Sequence, residues 1–351
     1  MREEIHSELS RAVIKPLLYS DIFNYPLTAS EIFERLEIPC DDIKMVECEL
    51  RQLVDARVLF RFDDLYSLHD DVSLALRRKA GNKMAKDVMP RAISRSRLIY
   101  NFPFVRAVMI SGSLSKDFME KSGDIDFFIV TKPGRVWITR GLLALFQRIV
   151  LFNSHKYFCV NYYLDHDHLS LDERNIFTAT ELITLKPMCG NNFYDLLIKQ
   201  NGWALEYYPQ FKPAVVSSNH ESSFIKTLFE KILNPVAPWM DSIVMNRLIQ
   251  RAQKLHGKKL SKSDFDVAFK ANPHVSKNHA GNTSDVSPTS SNREYTPSLR
   301  KWYRYEQAAF FPLLFLSFRS KAVESTTAVP AAGNNTRGCM HARGRSFGSA
   351  V

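Results

Sequence analysis

Two carboxylates, Asp124 and Asp126, stand two residues apart at the head of an apolar run, Phe127-Phe128-Ile129-Val130. On a strand that spacing points both side chains to one face. Two like charges on one face of an apolar strand are costly unless a cation neutralises them. Paired carboxylate oxygens suit Mg²⁺, which takes one or two carboxylates together with substrate phosphates. Upstream, a second apolar run, Val105 to Ile110 broken only by Arg106, leads into Gly112-Ser113. A Gly-Ser turn lets backbone N–H groups approach phosphate. Lys116 and Lys121 lie between the two motifs, as phosphate contacts or as solvated loop cations. Arg135 and Arg140 follow near the start of the next helix. His155, His166 and His168 are close in sequence but have no cysteine at zinc-ligand spacing.

These residues need strands and helices to hold them. Val105–Ile110 and Ile125–Val130 read as strands, with Pro133-Gly134 as a turn and a long helix from Trp137 to Phe152. The apolar stretch Leu142 to Phe152 contains Gln147 and Arg148, which predicts a buried helix rather than a membrane span. Tyr157–Leu164 reads as a third strand. Helices are expected over Asp172–Ile183, Phe193–Trp203, Phe224–Leu233 and Val236–Leu255. Toward the N-terminus a helix is expected from Ile5 to Ile22. Thr28-Ala-Ser-Glu31 forms a capping box for a second helix, and Asp41 or Asp42 caps a third. A hairpin spans 58–68 around Asp63-Asp64. Residues 72–100 are helical and basic.

The chain has 351 residues, of which 45% are hydrophobic and 12% aromatic, enough for packed cores. Five scattered cysteines give no disulfide framework and predict a reduced, cytoplasmic protein. The charged start, Met-Arg-Glu-Glu, lacks a signal-peptide core, and no apolar run is long enough to span a membrane. The formal net charge is +10, but residues 283–351 carry nine Lys/Arg against four Asp/Glu and so supply half of it. The mildly basic body permits phosphate-bearing partners without demanding a nucleic acid. After Ala280 the sequence turns rich in Ser, Thr, Asn, Gly and Ala, which predicts a disordered tail over 281–351, with a short apolar patch at 310–318.

The ordered set Ile110, Gly112, Ser113, then Asp124, Ile125, Asp126 and Phe127 resembles the motif of the polymerase-beta-like nucleotidyltransferase superfamily. The helix-rich N-terminal stretch with its hairpin is similar to winged-helix domains. The resemblance covers roughly residues 5–280. It implies an α/β (α+β) fold: a winged-helix-like domain over 1–71, a linking helix over 72–103, a catalytic core with a short mixed sheet over 104–190, and a helical region over 191–280. Asp124 and Asp126 would hold Mg²⁺, with Mn²⁺ as the alternative. Gly112 and Ser113, with Lys116, would hold the triphosphate of an incoming nucleotide, for which ATP is expected. The implied reaction is in-line attack of an acceptor hydroxyl on the α-phosphate, with pyrophosphate leaving. A small molecule, an RNA end or a protein side chain is the acceptor. The family has a third carboxylate on a later strand, for which Asp165 is the favoured residue, with Asp167 just beyond. Asn161 is the alternative, and would leave the base missing. The competing expectation is a non-catalytic winged-helix regulator whose degenerate nucleotidyltransferase domain senses nucleotide. The third N-terminal helix is acidic, which disfavours DNA and favours a protein partner.

Overall fold

The structure, a computed structural model, describes residues 2–152, 156–213, 223–256 and 271–277. All of them fall in one compact unit, Met1–Trp302. The tail expected over 281–351 lies outside the described residues, as does His155.

The N-terminal part runs helix, strand, helix, helix, strand, strand: α1 (Arg2–Asp21), β1 (Leu27–Thr28), α2 (Ala29–Glu34), α3 (Ile43–Asp55), β2 (Phe60–Phe62) and β3 (Leu65–Ser67). The capping box forms. The Thr28 hydroxyl accepts the Glu31 N–H at 3.2 Å, and the Glu31 carboxylate accepts the Thr28 N–H at 2.9 Å. Asp42, not Asp41, caps α3 by accepting the Lys44 N–H. The three strands form an antiparallel sheet in the order β1-β3-β2. Val13, Leu17, Ile32, Leu36, Val46 and Leu50 fill the core beneath it.

Helix α4 (Val72–Tyr100) leads to the second part. Its buried positions are mostly small, Ala75, Ala85 and Ala92 among them, which lets it lie close to its neighbours. Its basic residues are not all solvated. Arg78 is buried, bonded to the Pro26 carbonyl and the Glu31 carboxylate, and its guanidinium lies over the Tyr25 ring.

The second part follows as β4 (Val105–Ser111), the single turn α5 (Gly112–Ser115), β5 (Asp126–Thr131), α6 (Val136–Val150), β6 (Cys159–Asp165), α7 (Ile176–Thr184) and β7 (Lys186–Cys189). Then come α8 (Asn191–Gln200), α9 (Ala204–Tyr207), α10 (Phe224–Leu233), α11 (Ala237–His256), β8 (Ala271–Asn272) and β9 (Val275–Lys277). The six strands make one mixed sheet in the order β7-β4-β5-β6-β9-β8. Strands β4 and β5 are antiparallel, whereas the α6 crossover makes β5 and β6 parallel. Period-two alternation splits the strands cleanly. Val108, Ile110, Phe127 and Ile129 face α4 and α6. Ala107, Met109, Phe128 and Val130 face α7, α8 and α9.

Three sequence expectations change. Strand β7 has no counterpart in the sequence reading; it holds Pro187, and it forms at the sheet edge, where proline is tolerated. The stretch read as wholly helical after residue 191 ends, among the described residues, in the β8–β9 hairpin. The run Leu142–Phe152 is not a buried helix throughout. Val136, Trp137, Ile138 and Leu143 point inward, but Leu145, Ile149 and Val150 are exposed. Among the described residues no helix is long and apolar enough to cross a membrane.

Candidate functional site

The Gly-Ser turn and the Asp-x-Asp pair meet at one end of β4 and β5, where Ser111 lies opposite Asp126. Only Asp126 is inside the strand; Asp124 precedes it. Odd-even alternation places Asp126 on the same face as Phe128 and Val130, the face covered by α7. Gly112 has φ +67°, a left-handed conformation, and a Cβ there would overlap the Asp126 carboxylate. Glycine at this position thus serves two needs, the turn and the close approach of the acid.

Lys116 is not a solvated loop lysine. Its ammonium donates to the Gly112 carbonyl at 3.1 Å and to the Glu181 carboxylate of α7 at 2.7 Å. Glu181 was not singled out from sequence; it reaches the site from an element more than fifty residues downstream, without a local motif to mark it. Burial, then the charges of Asp124 and Glu181, push the Asp126 carboxyl up to about 6, against smaller opposing effects of Cys159 and Lys116. A crowd of half-buried carboxylates of this kind fits a divalent cation, whose charge removes the repulsion.

Strand β6 decides what stands beside the pair. Cys159 is opposite Asp126 and Val160 opposite Phe127, but Tyr162 is opposite Phe128. Asn161 is therefore the extra residue of a bulge, a device that re-aims a side chain. Its amide donates to the Asp126 carboxylate at 2.6 Å. The Cys159 thiol donates to the Asn161 side-chain oxygen at 3.2 Å, and burial followed by the two aspartate charges pushes it up to about 12, so it stays a thiol.

Asp165, the favoured third carboxylate, is not at this site. It lies opposite Thr131, at the far end of β5 from Asp126. Five residues at about 3.3 Å each separate the two ends by roughly 16 Å. Asp165 is buried there. Burial alone would raise its carboxyl, but hydrogen bonds from the Gly134 and Asp167 N–H groups, and then from His274 and His168, hold it below the usual range. Asp167 is exposed and pairs with His166. The arginines also belong to that far end. Arg140 bonds Ser276 on β9, and Arg135 bonds Asn234 and lies over Phe104. Lys121 is exposed. Of the residues picked from sequence, the fold thus gathers Gly112, Ser113, Lys116, Asp124, Asp126 and Asn161, the alternative at the third position; it adds Glu181 and places Asp165, Asp167, Arg135 and Arg140 at the far end. No family model, curated protein or solved structure matches the chain.

Proposed function

We propose that this chain binds a Mg²⁺–nucleoside triphosphate at the Gly112–Ser113 turn and the Asp124/Asp126 pair, in the manner of a nucleotidyltransferase domain serving a winged-helix regulator. The observation that carries the reading is the approach of Asp126 to Gly112, with the carboxyl pushed up to about 6 by burial and neighbouring acids. A bound Mg²⁺ supplies the charge that neutralises both the acids and the triphosphate. Asp124 and Asp126 hold it, the Gly112–Ser113 backbone faces the phosphates, and Lys116 contributes a cation beside them. The element order of residues 2–67 and the sheet order β1-β3-β2 support the winged-helix part of the reading. The acidic α3 and its cap, with Asp41, Asp42, Glu47, Glu49 and Asp55 against Lys44 and Arg51, favour a protein partner over DNA.

Asn161 next to Asp126 favours sensing over turnover, because an amide cannot take a proton from an acceptor hydroxyl. A second reading, nucleotidyl transfer, is supported by Glu181, whose charge acts on Asp126 from the opposite element. One set of measurements separates the two. Binding of each nucleoside triphosphate is followed by calorimetry with and without Mg²⁺, beside pyrophosphate release in the presence of cell extract. Sensing predicts Mg²⁺-dependent binding that the Asp124→Ala/Asp126→Ala variant loses, without pyrophosphate release. Transfer predicts release that Glu181→Gln abolishes. Equal behaviour of the wild type and the double variant in both assays overturns the nucleotide reading altogether.

A further inference from the structure

At the opposite end of β5 and β6, two side chains three residues apart meet a third from more than a hundred positions downstream, in a way that the proposed nucleotide site does not use. Asp165 closes β6, His168 follows in the next turn, and His274 sits in the β8–β9 turn. Their potential ligand atoms all lie within 4.8 Å of one another. We propose that Asp165, His168 and His274 bind a first-row transition-metal ion, zinc before others, as a second metal centre independent of the nucleotide site.

The carboxylate is fixed before any metal arrives. The Asp165 side chain is 1% exposed. One oxygen, Oδ2, accepts the Gly134 N–H at 2.9 Å, and the other, Oδ1, accepts the Asp167 N–H at 2.8 Å. Each carboxylate oxygen has a second lone pair left to offer. The two imidazoles face those oxygens: His274 Nδ1 is 3.2 Å from Oδ2, and His168 Nδ1 is 3.5 Å from Oδ1. Ligand atoms held about 2.0–2.2 Å from one tetrahedral ion stand roughly 3.3 Å apart, and both nitrogen–oxygen separations are close to that value.

The backbone holds the histidines in place. The His168 N–H donates to the Asp165 carbonyl at 3.0 Å, and the Asp165 N–H donates to the His274 carbonyl at 2.9 Å. The His274 N–H is taken by the Asn272 side chain at 2.9 Å. The two rings stack, with centroids 3.6 Å apart and planes 22° from parallel. His168 and His274 keep 51% and 42% of their side-chain surface exposed, which leaves an open path and an open coordination position.

The donor set selects the ion. Two imidazole nitrogens and one carboxylate suit Zn²⁺ and its first-row neighbours, whereas Mg²⁺ prefers oxygen throughout. The chain would then carry two centres of different taste, all-oxygen at Asp124/Asp126 and mixed nitrogen–oxygen here. Three protein ligands and an open fourth position are the pattern of a site that keeps a bound water.

The test uses the full chain, stripped with a chelator and titrated with Co²⁺, whose visible absorption reports nitrogen ligation, and then with Zn²⁺ against a chromophoric competitor. The expected result is one equivalent of Co²⁺ bound with a ligand-field spectrum that Zn²⁺ displaces and millimolar Mg²⁺ does not. His168→Gln and His274→Gln retain a hydrogen-bond donor for Asp165 but cannot ligate as imidazole does, so each is expected to weaken binding at least tenfold while the metal-free melting curve stays in place. A wild type without a stoichiometric Co²⁺ spectrum overturns the proposal. So does a double variant that binds Co²⁺ as the wild type does.

Discussion

Asp126 shows how a single residue trades stability against a site. Its carboxyl titrates near 6 in the fold because burial and two neighbouring acids oppose its charge. An unfolded aspartate titrates near 4, at about 3.9. Between those values the folded chain binds the extra proton, so stability falls as pH rises through the window, and the full penalty stands above pH 6. Replacing Asp126 with Asn removes the penalty. In metal-free buffer at pH 7.5 the variant is expected to unfold at higher denaturant, by about 1–3 kcal/mol. The difference should shrink toward pH 4, and a chemical-denaturation series across pH would show it. A variant less stable than the wild type at pH 7.5 would contradict the account. The acid itself was legible in the sequence because its chemistry is local: Gly-Ser, a spacer and Asp-x-Asp are all near one another in the chain. Asp165 was misplaced for the opposite reason. Whether a residue on β6 reaches Asp126 depends on the register of a parallel pair and on one bulge, and neither has a signature in the residues.

The elements behind the site are braced by buried polar side chains. Asn201, at the end of α8, is the best example. Its oxygen accepts the Leu171 N–H at 2.8 Å and the Trp203 indole N–H at 3.2 Å, while its amide donates to the carbonyls of Leu169 and Leu197, both at 2.8 Å. The side chain ties the loop after β6 to α8 and to the start of α9. Asn201→Ala would leave these buried groups unpaired, and a loss of about 3 kcal/mol or more is expected in a urea melt. A loss below about 1 kcal/mol would mean that water replaces the amide. The helices themselves were largely legible. Phe224–Leu233 was placed to the residue, and Asn175, accepting the Thr178 N–H at 2.9 Å, starts α7 a few residues later than the apolar pattern alone suggests. The short strands β7, β8 and β9 were not legible, because they have at most four residues each and exist only through their partners: β7 on β4, β9 on β6 and β8 on β9.

At the scale of the whole molecule, the loop between the two motifs is gripped from both sides. Tyr25 donates its hydroxyl proton to the Lys116 carbonyl at 3.0 Å. Arg77 bonds the Glu120 carboxylate and also the carbonyls of Phe23 and Asn24. The Phe118 ring packs edge-on to Tyr25 and fills the space that a side chain at Gly81 would need. On the other side, Lys116 is held by Glu181, and Tyr19 of α1 packs on Phe177 of α7. None of these contacts has a sequence signal, since each joins residues separated by tens of positions. Arg77→Ala is expected to change Mg²⁺–nucleotide affinity by about fivefold although Arg77 does not touch the proposed nucleotide site. A titration matching the wild type would show that the grip is mechanical decoration. If the loop does move when nucleotide enters, a reciprocal obligation follows. On the proposed reading, whatever factor the nucleotide imposes on a protein partner's affinity for the N-terminal part, the partner would have to return to the nucleotide, because both would draw on the same Lys116–Glu120 segment and the free energies close in a cycle.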